Sequence, residues 1–365
     1  MSTPINVAII GAGIGREHLQ AYLKLGDLFR VCCICDINTA RASEIIEQTG
    51  ADPDVTAVES SFENVLGNDG IDLIDICLPP HLHFSMTKAA LEAGKHVVCE
   101  KPLVSSLKEA DDLIESAKSS NRHVFPVFQY RYGPAIFKLQ QLIENSFTGK
   151  PLLASIETHW NRGADYYANP WRGTWKGEQG GAVLGHAIHN HDLLCAIMGP
   201  VRRLSGFGTT RVNPIETEDC AAISFELENG ALATSSITLG AHTDTTRLRF
   251  CFEHLTAESD LFPYSPAEGN WTFKVRGNTN SQEEVDEYLN GLPDCRSGFV
   301  GFFEAVSDKL NHDKPGVVTL QDGRRSIELV TAIYSAFSTG MQVELPLDDT
   351  HPMYDGWLPD EAKIT

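Results

Sequence analysis

The sequence predicts an α/β protein of two domains, a doubly wound parallel sheet over residues 1–125 and a second α/β domain over residues 126–365. Three observations carry this. The chain has 365 residues, more than a single hydrophobic core usually organises. In its first third, short and wholly apolar runs alternate with amphipathic helical stretches. Beyond that the runs lengthen and acquire polar alternation.

The apolar runs of the first region are Ile5–Ile10, Phe29–Cys35, Leu73–Leu78, His96–Cys99 and His123–Phe128. Between them lie the helical stretches Glu17–Lys24, Thr39–Gln48, Phe84–Ala93 and Leu107–Ser119. Strands that are apolar on both faces and separated by helices belong to a parallel sheet covered on both sides, the Rossmann arrangement. In the second region a helix at Ala135–Glu144 leads into Leu152–Trp160, Val201–Val212, Ala221–Glu228, Ala231–Leu239 and Arg247–Phe252. Their alternation predicts an antiparallel or mixed sheet with one face in water or against a partner. Helices are expected at Gly185–Met198, Gly298–Leu310 and Gln321–Ser338. The polar stretch Asn278–Glu284 reads as a mobile surface loop, and the hydrophobic tail residues Met353, Tyr354 and Trp357 are expected to dock, on a neighbouring subunit among other places.

Composition narrows the function. Hydrophobic residues are 42% and charged residues 21% of the chain, ordinary for a folded soluble protein. The formal charge of −20 disfavours nucleic acid and anionic membranes as partners. No stretch approaches the roughly 20 apolar residues of a membrane helix, and no leader precedes Ile5. Most of the nine cysteines sit inside apolar runs, as core thiols do in a reducing compartment, so a cytoplasmic location is expected. The cluster Cys32-Cys33-Ile34-Cys35 has no zinc spacing, and no metal is expected.

Directly after the first strand comes Gly11-Ala12-Gly13-Ile14-Gly15, opening into a helix. Glycines there permit a tight turn and bring backbone N–H groups up to a pyrophosphate. The second strand ends at Asp36, 25 residues after Gly11. Its carboxylate suits ribose hydroxyls and repels a 2′-phosphate, which predicts NAD, while Arg41 close by leaves NADP open. The fifth strand ends in Glu100-Lys101-Pro102, at the sheet edge where ligands of such folds sit. A lysine there can polarise a reacting hydroxyl, and Glu100 can hold it.

Glu100-Lys101-Pro102, the glycine turn and Leu78-Pro79-Pro80-His81-Leu82-His83 together resemble the glucose–fructose oxidoreductase / inositol dehydrogenase / rhizopine-catabolism (Gfo/Idh/MocA) family. The resemblance extends to Gln129-Tyr130-Arg131-Tyr132, to the 180–199 segment and to the closing Ala332-Ile333-Tyr334 and Val343-Glu344-Leu345-Pro346. It implies a C-terminal domain on an open, largely antiparallel sheet, and a nicotinamide-dependent enzyme of sugars, cyclitols and related alcohols. It also implies homodimers or homotetramers paired through that sheet. Leu78, Pro79, His83, Glu100, Lys101 and Gln129 would line the cofactor, with His83 read equally as packing at a helix start. Arg131 would face the substrate.

The family carries a carboxylate, three residues, then a histidine on the helix after Gly180-Gly181. Here the histidine position is His189, followed by Asn190-His191-Asp192, and the carboxylate position is Gly185. His186 or Asp192 is the expected substitute, one by sharing the face of His189, the other by orienting it. Upstream, the long loop after His159 holds Trp160, Arg162, Tyr166, Tyr167, Trp171, Arg172 and Trp175. Aromatic rings stack on sugar faces and arginines bind hydroxyls, so Trp160, Tyr166, Trp171 and Arg172 are substrate candidates; loop anchoring or a subunit interface is the alternative for Trp171 and Trp175. The expected reaction is hydride exchange between a sugar, anhydrosugar or cyclitol hydroxyl and nicotinamide, with His189 as general base and Lys101 assisting. The alternatives are an NAD-recycling glycoside hydrolase and a non-catalytic sugar or nucleotide sensor.

Overall fold

The computed structural model describes residues 3–277 and 279–359. The chain divides into two compact units: residues up to Phe128 with Phe299–Ile327, and Gln129–Gly298 with the chain from Glu328 onward.

The first unit is a six-stranded, wholly parallel sheet in the order β3-β2-β1-β4-β5-β6. Its strands are β1 (Ile5–Ile10), β2 (Phe29–Cys35), β3 (Ala57–Glu59), β4 (Leu73–Ile76), β5 (His96–Cys99) and β6 (Val124–Pro126). Val7, Ile9, Ile34, Leu73, Ile74, Ile76 and Val97 are all fully buried, as the unbroken apolar runs require when both faces are covered. Helices α1 (Gly15–Leu23), α2 (Thr39–Thr49), α3 (Phe62–Leu66), α4 (His83–Glu92) and α5 (Leu107–Ser120) connect them. Asn38, Ser61 and Ser106 start α2, α3 and α5 by accepting the N–H groups of Arg41, Asn64 and Glu109. β3 and α3 escape a periodicity reading because three and five residues are too few to show a period.

The first unit also recruits the helix Gly298–His312, which a linear reading keeps with residues 126–365. Phe302, Phe303 and Val306 are fully buried, and Phe303 stacks on Tyr22 of α1 with ring centroids 3.9 Å apart. Arg324 adds an ion pair to Asp111 of α5 (2.5 Å).

The second unit is built on an open eight-stranded sheet, order β13-β12-β11-β7-β10-β9-β8-β14. The strands are β7 (Pro151–Asn161), β8 (Val201–Thr209), β9 (Cys220–Leu227), β10 (Leu232–Thr238), β11 (Gly240–Phe252), β12 (Leu255–Glu258), β13 (Thr272–Val275) and β14 (Val343–Glu344). β7 and β10 run parallel and every other pair antiparallel. One face buries Ala154, Ile156, Ile223, Phe225, Ala233, Leu248 and Phe250. The other carries ion pairs from Arg247 and Arg249 to Glu258, and from Arg203 to Glu226. The helices are α6 (Pro134–Glu144), α7 (Trp175–Glu178) and α8 (Ile188–Met198), with Gln282–Asn290 and the end of Leu320–Thr339 later in the chain.

Two local readings are corrected. β8 stops at Thr209 rather than continuing to Val212, because the N–H groups of Arg211, Val212 and Asn213 turn onto the Asp219 carboxylate (2.7, 3.0 and 2.7 Å). In the supposed loop from 278 to 284, residue 278 lies outside the described residues. Ser281 and Glu284 form a reciprocal capping box that starts the helix Gln282–Asn290, a signature visible as Ser-x-x-Glu. The tail docks on its own chain: Trp357 is buried, donates to the Gln179 carbonyl (2.7 Å) and stacks on Tyr334. Among the described residues, no helix is long and apolar enough to cross a membrane.

Candidate active site

The cofactor half of the site is built from the glycine turn. Gly11 has φ +105°, and a Cβ there would lie 2.5 Å from the Cys77 carbonyl oxygen. A Cβ on Gly15 would fall 2.8 Å from Ile9 Cγ2. The turn therefore presses against β1 and the residue after β4, while Gly13 and Ile14 stand exposed at the start of α1. Glycine at 11 thus permits the tight turn against Cys77 that leaves the backbone of Gly13 and Ile14 open at the start of α1, where a pyrophosphate can approach, so the cradle fits a dinucleotide. Asp36 Oδ2 accepts the Ala12 N–H (2.7 Å) and Oδ1 the Asn38 N–H (2.8 Å), which fixes the carboxylate against the turn. Each oxygen keeps a lone pair for ribose. The Arg41 guanidinium lies beside the turn, 3.7 Å from where a Cβ of Gly13 would be.

At the end of β5, Glu100 Oε2 accepts the Lys101 N–H (3.0 Å), and the Lys101–Pro102 peptide is cis. Lys101 is half-buried and Glu100 buried. Leu78 and Pro79 follow β4, the first half-buried and the second exposed. His83 takes the packing role of the two left open for it: its ring is fully buried, with Nδ1 2.7 Å from the Pro102 carbonyl oxygen and Nε2 2.8 Å from that of Leu78. Both ring nitrogens lie against backbone carbonyls.

The second unit holds the histidine helix. Its first turn, Val183–Ala187, is a π-turn containing Gly185 and His186, and α8 continues from Ile188. Glu218, buried two residues before β9, holds the entry to this turn. Its carboxylate accepts the N–H groups of Val183 (2.9 Å) and Gly181 (3.1 Å) and the Tyr334 hydroxyl (3.1 Å). A Cβ on Gly181 would collide with Glu218, and one on Gly180 with Tyr334. Neither Glu218 nor Tyr334 was singled out from the sequence as a site residue. The sequence offered only a weak signal, one acid between Glu216 and Asp219 just ahead of an alternating strand.

His189 and His186 point to different aromatic neighbours. The His189 ring stacks on Tyr130 (4.5 Å, 24°), whereas His186 packs on Trp160 (5.1 Å) and Tyr166 (5.8 Å). His191 bonds Ser235 (2.9 Å) and Asn190 bonds Thr158 (2.7 Å), both tying α8 to the sheet. Burial pushes His191 down to about 4, so it stays neutral. A side chain at Gly185 would begin in open space. The two oxygens of Asp192 accept Nε and Nη2 of Arg131 (2.7 and 2.6 Å), and its side chain is 3% exposed. Arg131 and Asp192 thus form a clamp with each other. Gln129 Oε1 is buried without a partner among the described residues, an acceptor that a ligand donor can satisfy.

The aromatic loop forms a wall. Arg162 lies over Trp160 (5.0 Å) and Tyr166 (5.4 Å), and pairs with Asp244 (2.9 Å). Arg172 lies over Tyr166 (4.1 Å) and Trp171 (4.6 Å), bonds the Tyr166 hydroxyl and pairs with Glu178 (3.0 Å). It also lines a cavity of about 490 Å³ with Tyr167, Asn213 and Ile215. Asp244 and Tyr264, which hold Arg162 from another strand and loop, were not foreseen.

A parallel Rossmann sheet with this cradle defines an NAD-binding oxidoreductase. The family model described as an oxidoreductase family with an NAD-binding Rossmann fold matches residues 5–128, and that of the GFO/IDH/MocA C-terminal domain matches residues 136–258. An uncharacterized oxidoreductase of Synechocystis is 30% identical over 258 residues, 66% of this chain and 67% of its own. The levoglucosan dehydrogenase of Pseudarthrobacter phenanthrenivorans is 27% identical, covering 71% and 74%. In fold, the chain matches the WlbA dehydrogenase of Bordetella pertussis, solved with NADH and UDP-GlcNAcA, at a TM-score of 0.81 and 24% identity over 95% of this chain and 100% of that one. The chain belongs to the Gfo/Idh/MocA oxidoreductase family, and NAD is its cofactor.

Proposed function

We propose that this protein is an NAD-dependent dehydrogenase of a sugar, anhydrosugar or cyclitol hydroxyl. The observation that carries the substrate class is the wall of Trp160, Tyr166 and His186 with Arg162 and Arg172 above the rings. Guanidinium donors held over aromatic rings, with ring edges beside them, offer the mixed polar and apolar contacts that a polyhydroxylated ring needs. Relatives named levoglucosan dehydrogenase and inositol 2-dehydrogenase support the same class.

The cradle at Gly11, Gly13, Ile14 and Gly15 would hold the pyrophosphate, and Asp36 the ribose. NAD, when bound, supplies the acceptor for the hydride that the carbinol carbon releases. His189 takes the hydroxyl proton on a ring nitrogen, and the Lys101 ammonium donates to the same oxygen as charge develops on it. The carbon loses two electrons and one hydrogen as hydride, and the proton leaves by the histidine, so the step balances.

The test is NADH formation at 340 nm over a panel of sugars, cyclitols and anhydrosugars, with NAD and NADP in parallel. One responding polyol is expected, and Lys101→Ala and His189→Ala are each expected to lower its kcat by about 10²–10⁴-fold, the usual scale for general acid–base groups. Near-normal turnover in both variants would refute the assignment.

A further inference from the structure

Beneath the glycine turn, the first unit holds a buried ionisable cluster to which the reaction above assigns no role. His18, on α1, is fully buried. Its Nδ1 lies 2.8 Å from Asp75 Oδ2 on β4, and its Nε2 lies 3.1 Å from Glu100 Oε1 just past β5. Cys77 Sγ is 3.3 Å from the same Nδ1. The rings of Phe299 and Phe303 pack on the imidazole with centroids 4.5 and 5.3 Å away.

A neutral imidazole has one N–H and would turn a lone pair toward one of the two carboxylates. The ring that satisfies both is the double donor. Burial pulls its pKa down, but the Asp75 carboxylate and Cys77 outweigh that and hold it well above the usual histidine range. A metal ion is the competing occupant, since ligand-type atoms of His18, Asp75 and Cys77 all lie within 4.8 Å of one another. Two ligands of one tetrahedral zinc, at about 2.0–2.3 Å from the ion, sit roughly 3.3 Å or more apart. The 2.8 Å contact between Nδ1 and Oδ2 is closer than that, and is a hydrogen bond.

We propose that His18 is a positioning residue for Lys101. By donating to Glu100 Oε1 it fixes the carboxylate whose other oxygen accepts the Lys101 N–H. Through Asp75 and α1 it ties that segment to the glycine turn. The lysine is thereby set in register with the cofactor cradle by one imidazolium bridging two strand ends. This inference rests on the dehydrogenase reading above.

The first test needs no substrate. In ¹⁵N spectra of the full-length protein at pH 7, His18 is expected to show both ring nitrogens protonated, the signals being assigned by their absence in His18→Gln. One unprotonated nitrogen, or an equivalent of bound metal by elemental analysis, overturns the proposal.

The second test is kinetic, with the polyol identified at 340 nm. The amide of asparagine reproduces the Nδ1 position and that of glutamine the Nε2 position. His18→Asn, which keeps only the Asp75 side, is expected to lose about tenfold or more in kcat, with KM and NAD affinity within about threefold. His18→Gln, which keeps donation to Glu100, is expected to recover most of the loss. In a Lys101→Ala background, His18→Asn is expected to cost nothing further, because both act through one group. A fully additive loss, or an Asn variant better than the Gln variant, overturns the positioning role alone. Undiminished turnover in Lys101→Ala would instead remove the catalytic assignment and this inference with it. Should His18→Asn fail to fold, His18→Gln alone decides: near wild-type kcat is expected, and a loss of about tenfold or more despite its retained donation to Glu100 overturns the positioning role.

Discussion

Burial pushes the Glu218 carboxyl up to about 7, against donors from Val183, Tyr334 and Gly181 that favour its ionised form. An acid raised in the folded state keeps a proton that the unfolded chain has already released, so stability falls as pH rises from the ordinary carboxyl range through 7. A shift of this size corresponds to roughly 3 kcal/mol. Urea unfolding of the wild type should therefore show that much loss between pH 5 and 8, and Glu218→Gln should flatten the curve. Parallel curves would show that Glu218 titrates normally. Gly11, Asp36 and Lys101 were legible in the sequence because each belongs to a short local pattern whose spacing encodes its geometry. Glu218 was not, because its partners at 181 and 183 lie about 35 residues away along the chain and only the packing of α8 over the sheet joins them.

Among the elements, the buried strands and long helices could be read because apolar periodicity persists over six or more residues, as in β1, β2 and α5. The π-turn ahead of α8 could not. It places His186 and His189 on different aromatic neighbours, whereas ideal helical spacing would have put them on one face. The tail was recognisable as something that docks, but its partner was set by tertiary fit. Trp357 closes over Gln179 and Tyr334, beside the Gly180-Gly181 entry that Glu218 holds. Trp357→Ala is expected to cost about 3–5 kcal/mol, as large-to-small changes at buried aromatic sites do. NAD affinity should stay unchanged, since the cradle belongs to the other unit. Denaturant unfolding and a fluorescence titration with NAD measure the two separately, and a large fall in NAD affinity would contradict the division of labour.

At the scale of the whole molecule, a linear reading assigns residues 299–327 to the second domain, yet they belong with the first. The reason is local: Phe303 finds its stacking partner in Tyr22, nearly 300 residues earlier, and no sequence window spans both. The first unit therefore has its cofactor cradle on one edge of α1 and a late segment of the chain packed on the same helix. Ligand binding to the folded form alone stabilises by RT ln(1 + [L]/Kd), about 2.7 kcal/mol at a hundredfold excess over Kd. For a unit of this size that is a rise of roughly 5–10 °C in Tm. NAD is expected to produce such a shift and NADP a smaller one, because the Asp36 carboxylate held against the turn repels a 2′-phosphate. Gly11→Ala should abolish both shifts, its Cβ being forced against the Cys77 carbonyl at a backbone angle that L-residues avoid. Equal shifts for the two cofactors would instead assign Arg41, beside Gly13, to the 2′-phosphate and make the enzyme indifferent between them.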